Sequence, residues 1–181
     1  DLGRPFWVAG GTGRPGRLRE AREAGAAGIQ VGTLFAYCRE SGLMEGLKRK
    51  VLELCRRGEV DVLTADRASP TGFPFKTVAV PATLSDPDRY ESRRRVCDLG
   101  YLRIPYRMEN GRVGYRCPAE PVATYVKKGG AVEETEDRRC LCNALLANVG
   151  HGQARGGGEA EMPLLTSGDD LRSLSSFLKG R

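Results

Sequence analysis

The residues best placed to do chemistry in this chain are bare ones. Ala9-Gly10-Gly11-Thr12-Gly13 and Gly32-Thr33 each follow a short apolar run, and one stretch of helical character separates them. A phosphate dianion has to be met by several backbone N–H donors at close range, and a Cβ would hold it away. Hydrogen bonds to a charged group contribute about 1.5–3 kcal/mol each, so four of them can retain a cofactor without a lysine. Thr33 adds a hydroxyl donor. A glycine after a strand usually makes only a turn. Two such turns flanking one helix are the more specific signal for an anion.

For the turns to act together, the segments before them must be neighbouring parallel strands. Phe6-Trp7-Val8-Ala9 is a continuous apolar run, as expected of a strand buried on both faces. A helix is expected from about Pro15 to Ala24, with Pro suited to its first turn and Gly25 to its stop. Ile29-Gln30-Val31-Gly32-Thr33 reads as the second strand. The following helix is expected to start near Ser41, a good N-cap type. Leu43, Met44, Leu47, Val51, Leu54 and Cys55 fall on one side of it, and Gly58 ends it. Strand–helix–strand crossovers are right-handed by default, and alternation of this kind means a parallel sheet or barrel. In a barrel, the loops after the last two strands form a phosphate site.

The string Val8-Ala9-Gly10-Gly11, followed by Ala24-Gly25-Ala26-Ala27-Gly28-Ile29-Gln30-Val31-Gly32-Thr33-Leu34-Phe35, resembles the seventh and eighth barrel strands of the nitronate monooxygenases, formerly called 2-nitropropane dioxygenases. Flavin-dependent enoyl-acyl-carrier-protein reductases share the pattern. Glu40-Ser41 and Lys48 fall where those sequences continue into the eighth helix. Ala68 to Lys76 and Cys140 to Asn148 look like the tail of a longer subgroup. The specific match spans roughly the first third of the chain. It implies a fold class: the C-terminal part of a (β/α)8 TIM barrel, with its last two β/α units at 1–58, then an irregular α+β extension at 59–181. It implies FMN as cofactor, with Gly10, Gly11, Gly32 and Thr33 on the phosphate and Gln30 close to the flavin. The implied activity is a flavoprotein monooxygenase that oxidises nitronates, small-molecule substrates, with O2. The alternative is an enoyl thioester reductase whose partner would be an acyl carrier protein. In the family, the first six strands, most flavin-ring contacts and the catalytic His lie upstream of this region. No catalytic residue is therefore assigned here, and a chain starting at Asp1 almost inside a strand reads as partial.

The extension has its own constellation. Cys97, Cys117, Cys140 and Cys142 are enough for a tetrahedral zinc site. Only Cys140-x-Cys142 is close in sequence, however, and a C-x-x-C knuckle is missing. The spacing favours packed or redox-active thiols, and no metal is expected. A zinc-stabilised non-catalytic module is the competing answer, because a stretch with so little periodic core needs some staple. Within the extension, Val60 to Thr64 and Phe75 to Val80 read as strands around a turn at Thr71-Gly72. Asn110-Gly111 is a hairpin turn between Tyr106-Arg107-Met108 and Val113-Gly114-Tyr115. Leu141 to Val149 reads as a short helix and Gly156-Gly157-Gly158 as a linker. A last helix carries Leu171, Leu174, Phe177 and Leu178 on one face, capped by Asp169 or Asp170. His151 reads as an exposed loop residue. Ser69 lacks the partners of a hydrolytic nucleophile.

Composition narrows the classes. With 181 residues, 40% apolar and 29% charged, the chain is long enough for a real core and too apolar to be disordered. No apolar run reaches bilayer length, and no signal peptide precedes the first strand, so a cytoplasmic protein with reduced cysteines is expected. Lys and Arg exceed Asp and Glu by 29 to 23, giving +6. That excess suits an anionic cofactor or an acidic carrier. Nucleic acid is not expected, because aromatics are few and no recognition motif is present.

Overall fold

Sequence periodicity alone would continue the extension to the C-terminus, but packing divides the chain differently. In the computed structural model, which describes residues 3–154, 158 and 160–178, one unit is formed by Asp1–Val62 with Ser167–Arg181 and the other by Leu63–Thr166. The break follows Val62 rather than Gly58, and the last segment returns to the first unit. Burial explains the return. Leu171 is fully buried and Leu174 nearly so, and the Cys55 thiol lies 3.5 Å from the Leu171 carbonyl. The apolar face of the preceding helix needs that cover.

In the first unit, β1 (Trp7–Ala9) and β2 (Gly28–Gln30) run parallel, with Trp7 opposite Gly28, Val8 opposite Ile29 and Ala9 opposite Gln30. Gly28 leaves room for its partner, since a Cβ there would come to 3.0 Å from the Trp7 ring. The connection is α1 (Arg17–Glu23), which begins after Gly16 rather than at Pro15. The second strand stops at Gln30. Gly32 then opens a turn of helix, α2 (Thr33–Ala36), closed by Ala36 N–H donating to Gly32 O at 3.0 Å. The sequence reading carried the strand through Thr33; the chain bends away at Gly32 instead.

The amphipathic helix α3 (Glu45–Arg57) starts after Met44, not at Ser41. The Ser41 hydroxyl is engaged elsewhere, donating to Ala36 O at 2.5 Å. Gly58 ends α3 in the left-handed region, at φ 73. Leu47, Val51 and Cys55 are buried on its inner face. Lys48 is buried among them, and its Nζ donates to the carbonyls of Cys38, Arg39 and Ser41 at 3.2, 3.1 and 3.4 Å. A buried ammonium needs such partners, and here it ties down the loop before α3. The C-terminal segment is a 3-10 helix, Asp169–Leu174, continued by a short helix, Ser175–Leu178. Gly168 occupies its N-cap with no side-chain cap bond, so neither aspartate plays the capping part expected of it. Phe177 is half exposed.

The second unit is built from short pieces. β3 (Val62–Ala65), which starts at the boundary, pairs with β4 (Phe75–Val78). The expected hairpin is β5 (Ile104–Arg107) antiparallel to β6 (Val113–Arg116) around Asn110-Gly111. Helices α4 (Pro87–Ser92), α5 (Val122–Lys127) and α6 (Cys142–Ala147) and the 3-10 turn Val132–Thr135 fill the intervals. Leu84, Tyr90, Leu141, Ala144 and Leu164 form its core cluster, with Phe75, Leu102, Leu145 and Met162 against it. Gly156 and Gly157 of the expected linker lie outside the described residues, and Gly158 is exposed. The described residues form three two-stranded sheets and no closed barrel. Among them, no helix is long and apolar enough to cross a membrane.

Candidate functional site

The parallel register decides where the glycine turns lie. With Ala9 opposite Gln30, the next residues, Gly10-Gly11 and Val31-Gly32-Thr33, leave from the same end of adjacent strands. Gly10 and Gly11 both adopt positive φ, 86 and 61. A Cβ built on Gly10, Gly11 or Gly32 would meet no atom within 4 Å. All three are exposed. The two turns therefore present bare, open backbone at one end of the strand pair. Gln30 is exposed at the strand tip and Thr33 is half-buried.

A residue outside the sequence-based set holds the two tips together. Thr12 is 2% exposed, and its hydroxyl donates to the Gln30 carbonyl at 2.6 Å. The turn after β1 is thus fastened to the last residue of β2. Thr12 is the sole hydroxyl within Gly10-Gly11-Thr12-Gly13, and that isolation was the available signal.

The far side of the turns is already occupied. A Cβ at Gly13 would lie 2.9 Å from Asp170 Oδ2 and 3.4 Å from Val31, and one at Gly168 would lie 2.8 Å from both Thr33 Oγ1 and Asp170 Oδ1. The Ser173 hydroxyl bonds Gly13 O at 3.3 Å. Asp170, read from sequence as a cap, instead places a carboxylate beside the second half of the glycine turn. It opposes an anion there and leaves Gly10, Gly11 and Gly32 as the open part. Tyr37, which follows α2, is buried, and burial pushes its hydroxyl up to about 12, an effect partly offset by the Ser167 side chain.

The other constellation lies in the second unit. Cys97, Cys117, Cys140 and Cys142 all line one cavity. Cys117 is buried, and burial pushes its thiol up to about 11, with charge on Cys97, Cys140 and Cys142 adding to the rise. All six cysteines of the chain are free thiols. Among the described residues, no three His, Cys, Asp or Glu groups already stand at metal-coordinating spacing. His151 is an exposed loop residue. Ser69 is buried in a turn, its hydroxyl 2.9 Å from that of Thr71.

The basic clusters also have structural employment. Tyr90 lies between the guanidiniums of Arg93 and Arg139, at 4.8 and 5.0 Å. Arg93 forms a buried ion pair with Glu161. Arg138 donates to the carbonyls of Arg67 and Ser69 at 2.8 and 2.6 Å. The runs 93–95 and 138–139 are therefore in large part internal fasteners rather than a free cationic face.

No protein family, no curated protein and no solved structure matches this chain.

Proposed function

We propose that this chain supplies the phosphate-binding end of an FMN site in a barrel oxidoreductase of the nitronate monooxygenase type. The observation that supports this most is the register of β1 and β2, which puts Gly10-Gly11 and Gly32-Thr33 at one end of adjacent parallel strands. FMN ends in a phosphate dianion, and open N–H groups from two turns suit it. The exposure of Phe6 and Trp7, 51% and 60%, fits a strand pair made to be covered by further strands. The cofactor would supply the redox chemistry. These residues would only fix its tail: Gly10, Gly11 and Gly32 by backbone N–H, Thr33 by hydroxyl, with Gln30 nearer the ring.

Gly32→Val is the cleanest test. Gly32 sits at φ −106, which any residue can adopt, and no atom lies within 4 Å of the added Cβ. The variant should fold normally yet hold FMN at least tenfold more weakly by fluorescence-quenching titration. Loss of one or more charged hydrogen bonds of about 1.5–3 kcal/mol predicts that size. Unchanged FMN affinity would refute the phosphate assignment. Nitronate-dependent O2 uptake by the flavin-loaded enzyme supports the monooxygenase, whereas nicotinamide-dependent reduction of an enoyl thioester carried by an acyl carrier protein supports the reductase.

A further inference from the structure

We propose that Cys97, Cys117, Cys140 and Cys142 bind one zinc ion as a tetrathiolate site that staples the second unit. Four cysteines from three separate segments converge on a single cavity, which Arg95 and Arg103 also line. Its internal volume is about 10 Å³, the scale of one atom-sized guest. That size suits a single ion. Sulfur-only donors in a tetrahedral set select zinc over magnesium or calcium.

The main chain around each of these cysteines is held by a side chain from elsewhere. Asn143 Nδ2 donates to Asp98 Oδ1 at 2.8 Å and to Val96 O at 3.4 Å, gripping both neighbours of Cys97. Asn143 follows Cys142, the first residue of α6, so the same bonds fix Cys97 relative to Cys142. Glu120 accepts from Cys117 N–H at 3.3 Å. Tyr90 Oη accepts from Cys140 N–H at 2.7 Å, and Arg93 donates to Cys140 O at 2.9 Å. Oriented supports of this kind are what ligands need to hold a metal.

Charge balance agrees with the donor set. Four thiols give up four protons and Zn²⁺ is taken up, so the centre carries a charge of −2. Arg103 already directs Nε to Cys97 Sγ at 3.3 Å, and Arg95 is on the cavity wall. Two guanidiniums offset the two charges. As the described residues lie, no three His, Cys, Asp or Glu groups are spaced to hold a metal, so zinc binding must draw the thiols together. Closing to Zn–S of about 2.3 Å requires loop adjustment, and Cys97 and Cys140 lie in segments without regular structure. The missing C-x-x-C spacing is replaced by convergence in space.

The test is metal analysis of the full chain purified under reducing conditions. One zinc per chain is expected, together with the visible spectrum of tetrahedral thiolate after cobalt(II) exchange. Cys97→Ser and Cys140→Ser should each lower zinc affinity roughly tenfold or more, while the double variant Cys38→Ser/Cys55→Ser keeps zinc. If the serine variants do not fold, stepwise mercurial titration of the wild-type chain replaces them, and four thiol equivalents should release the zinc. A wild-type chain without zinc whose four thiols react freely, or which holds them as two disulfides by intact mass, overturns the proposal. So does full zinc retention in the serine variants. None of these readouts depends on flavin.

Discussion

The two units solve the same problem with different means. The first, Asp1–Val62 with Ser167–Arg181, relies on regular elements: a parallel pair, a crossover helix and the amphipathic α3, with Leu171 and Leu174 returning as cover. The second, Leu63–Thr166, has no helix longer than six residues among its described residues and depends on polar fasteners that span long sequence distances. Both use one device in their strand pairs, an aromatic ring laid over a cross-strand glycine. Trp7 covers Gly28, and Tyr106 covers Gly114, where a Cβ would come within 2.7 Å of the ring. Beyond that the comparison teaches that periodic burial can support one unit, whereas the other needs specific pins. A tetrathiolate metal would be one more of those pins.

The largest expected effect lies in the second unit. Arg93 and Glu161 are a buried ion pair with side chains 7% and 6% exposed, and Arg93 also holds Cys140 O and the Tyr90 ring. Arg93→Ala leaves the Glu161 carboxylate buried without this partner, and destabilisation of about 3–5 kcal/mol is expected by urea denaturation. Hydrogen exchange sharpens the contrast, since protection should fall first within residues 63–166. A uniform fall over the whole chain would break the distinction between the units.

In the first unit the corresponding vulnerability is alkaline. Tyr37 ionises at about 12 in the folded chain because burial disfavours the phenolate, against an ordinary 10.0. Between those values the unfolded chain holds fewer protons, so stability falls as pH rises. The two-unit shift corresponds to about 2.7 kcal/mol once pH passes 12. Tyr37→Phe should flatten this part of the pH–stability curve, measured by thermal melts from pH 9 upward relative to wild type. An unchanged slope would mean that Tyr37 does not govern it.

Smaller again is the clamp between the turns. Thr12→Val keeps the shape but removes the hydroxyl that satisfies Gln30 O. A cost of about 1–2 kcal/mol is expected in chemical denaturation, together with weaker FMN binding if the spacing of the tips matters. Wild-type stability would show that the register of β1 and β2 alone aligns the turns.

How much of this was legible beforehand follows the same division. The helix α3 and its stop at Gly58 were readable because burial at a fixed period leaves its mark in the sequence. In contrast, β1 was readable only as an apolar run, which proves exposed at Phe6 and Trp7 rather than buried on both faces. The hairpin at Asn110-Gly111 was readable because its turn chemistry is local. The start of α3 was misread at Ser41, whose hydroxyl went to Ala36 O, a choice made by tertiary geometry. The glycine turns were identifiable by type, but the Thr12 clamp and the placement of Asp170 required the fold. The convergence of four cysteines from three segments had no local signature, because sequence spacing says nothing about which loops meet.

The smallest expected effect asks whether the C-terminal segment tunes the glycine turns or merely covers a helix. Asp170 stands beside Gly13 and Thr33, where its charge disfavours a phosphate dianion bound at Gly10, Gly11 and Gly32. Asp170→Asn retains size and hydrogen-bonding capacity while removing the charge. In a water-like dielectric, unit charges roughly 8 Å apart repel by roughly 0.5 kcal/mol. For a dianion this doubles to about 1 kcal/mol, so the variant should bind FMN about fivefold more tightly at low salt, with the gain shrinking as ionic strength rises. Riboflavin, which lacks the phosphate, should bind the variant and the wild type alike. A gain shared by riboflavin would point to altered packing of the segment. No gain for either would mean that the anion, if bound, lies elsewhere, and the open turns of the first unit would then be structural features like those of the second.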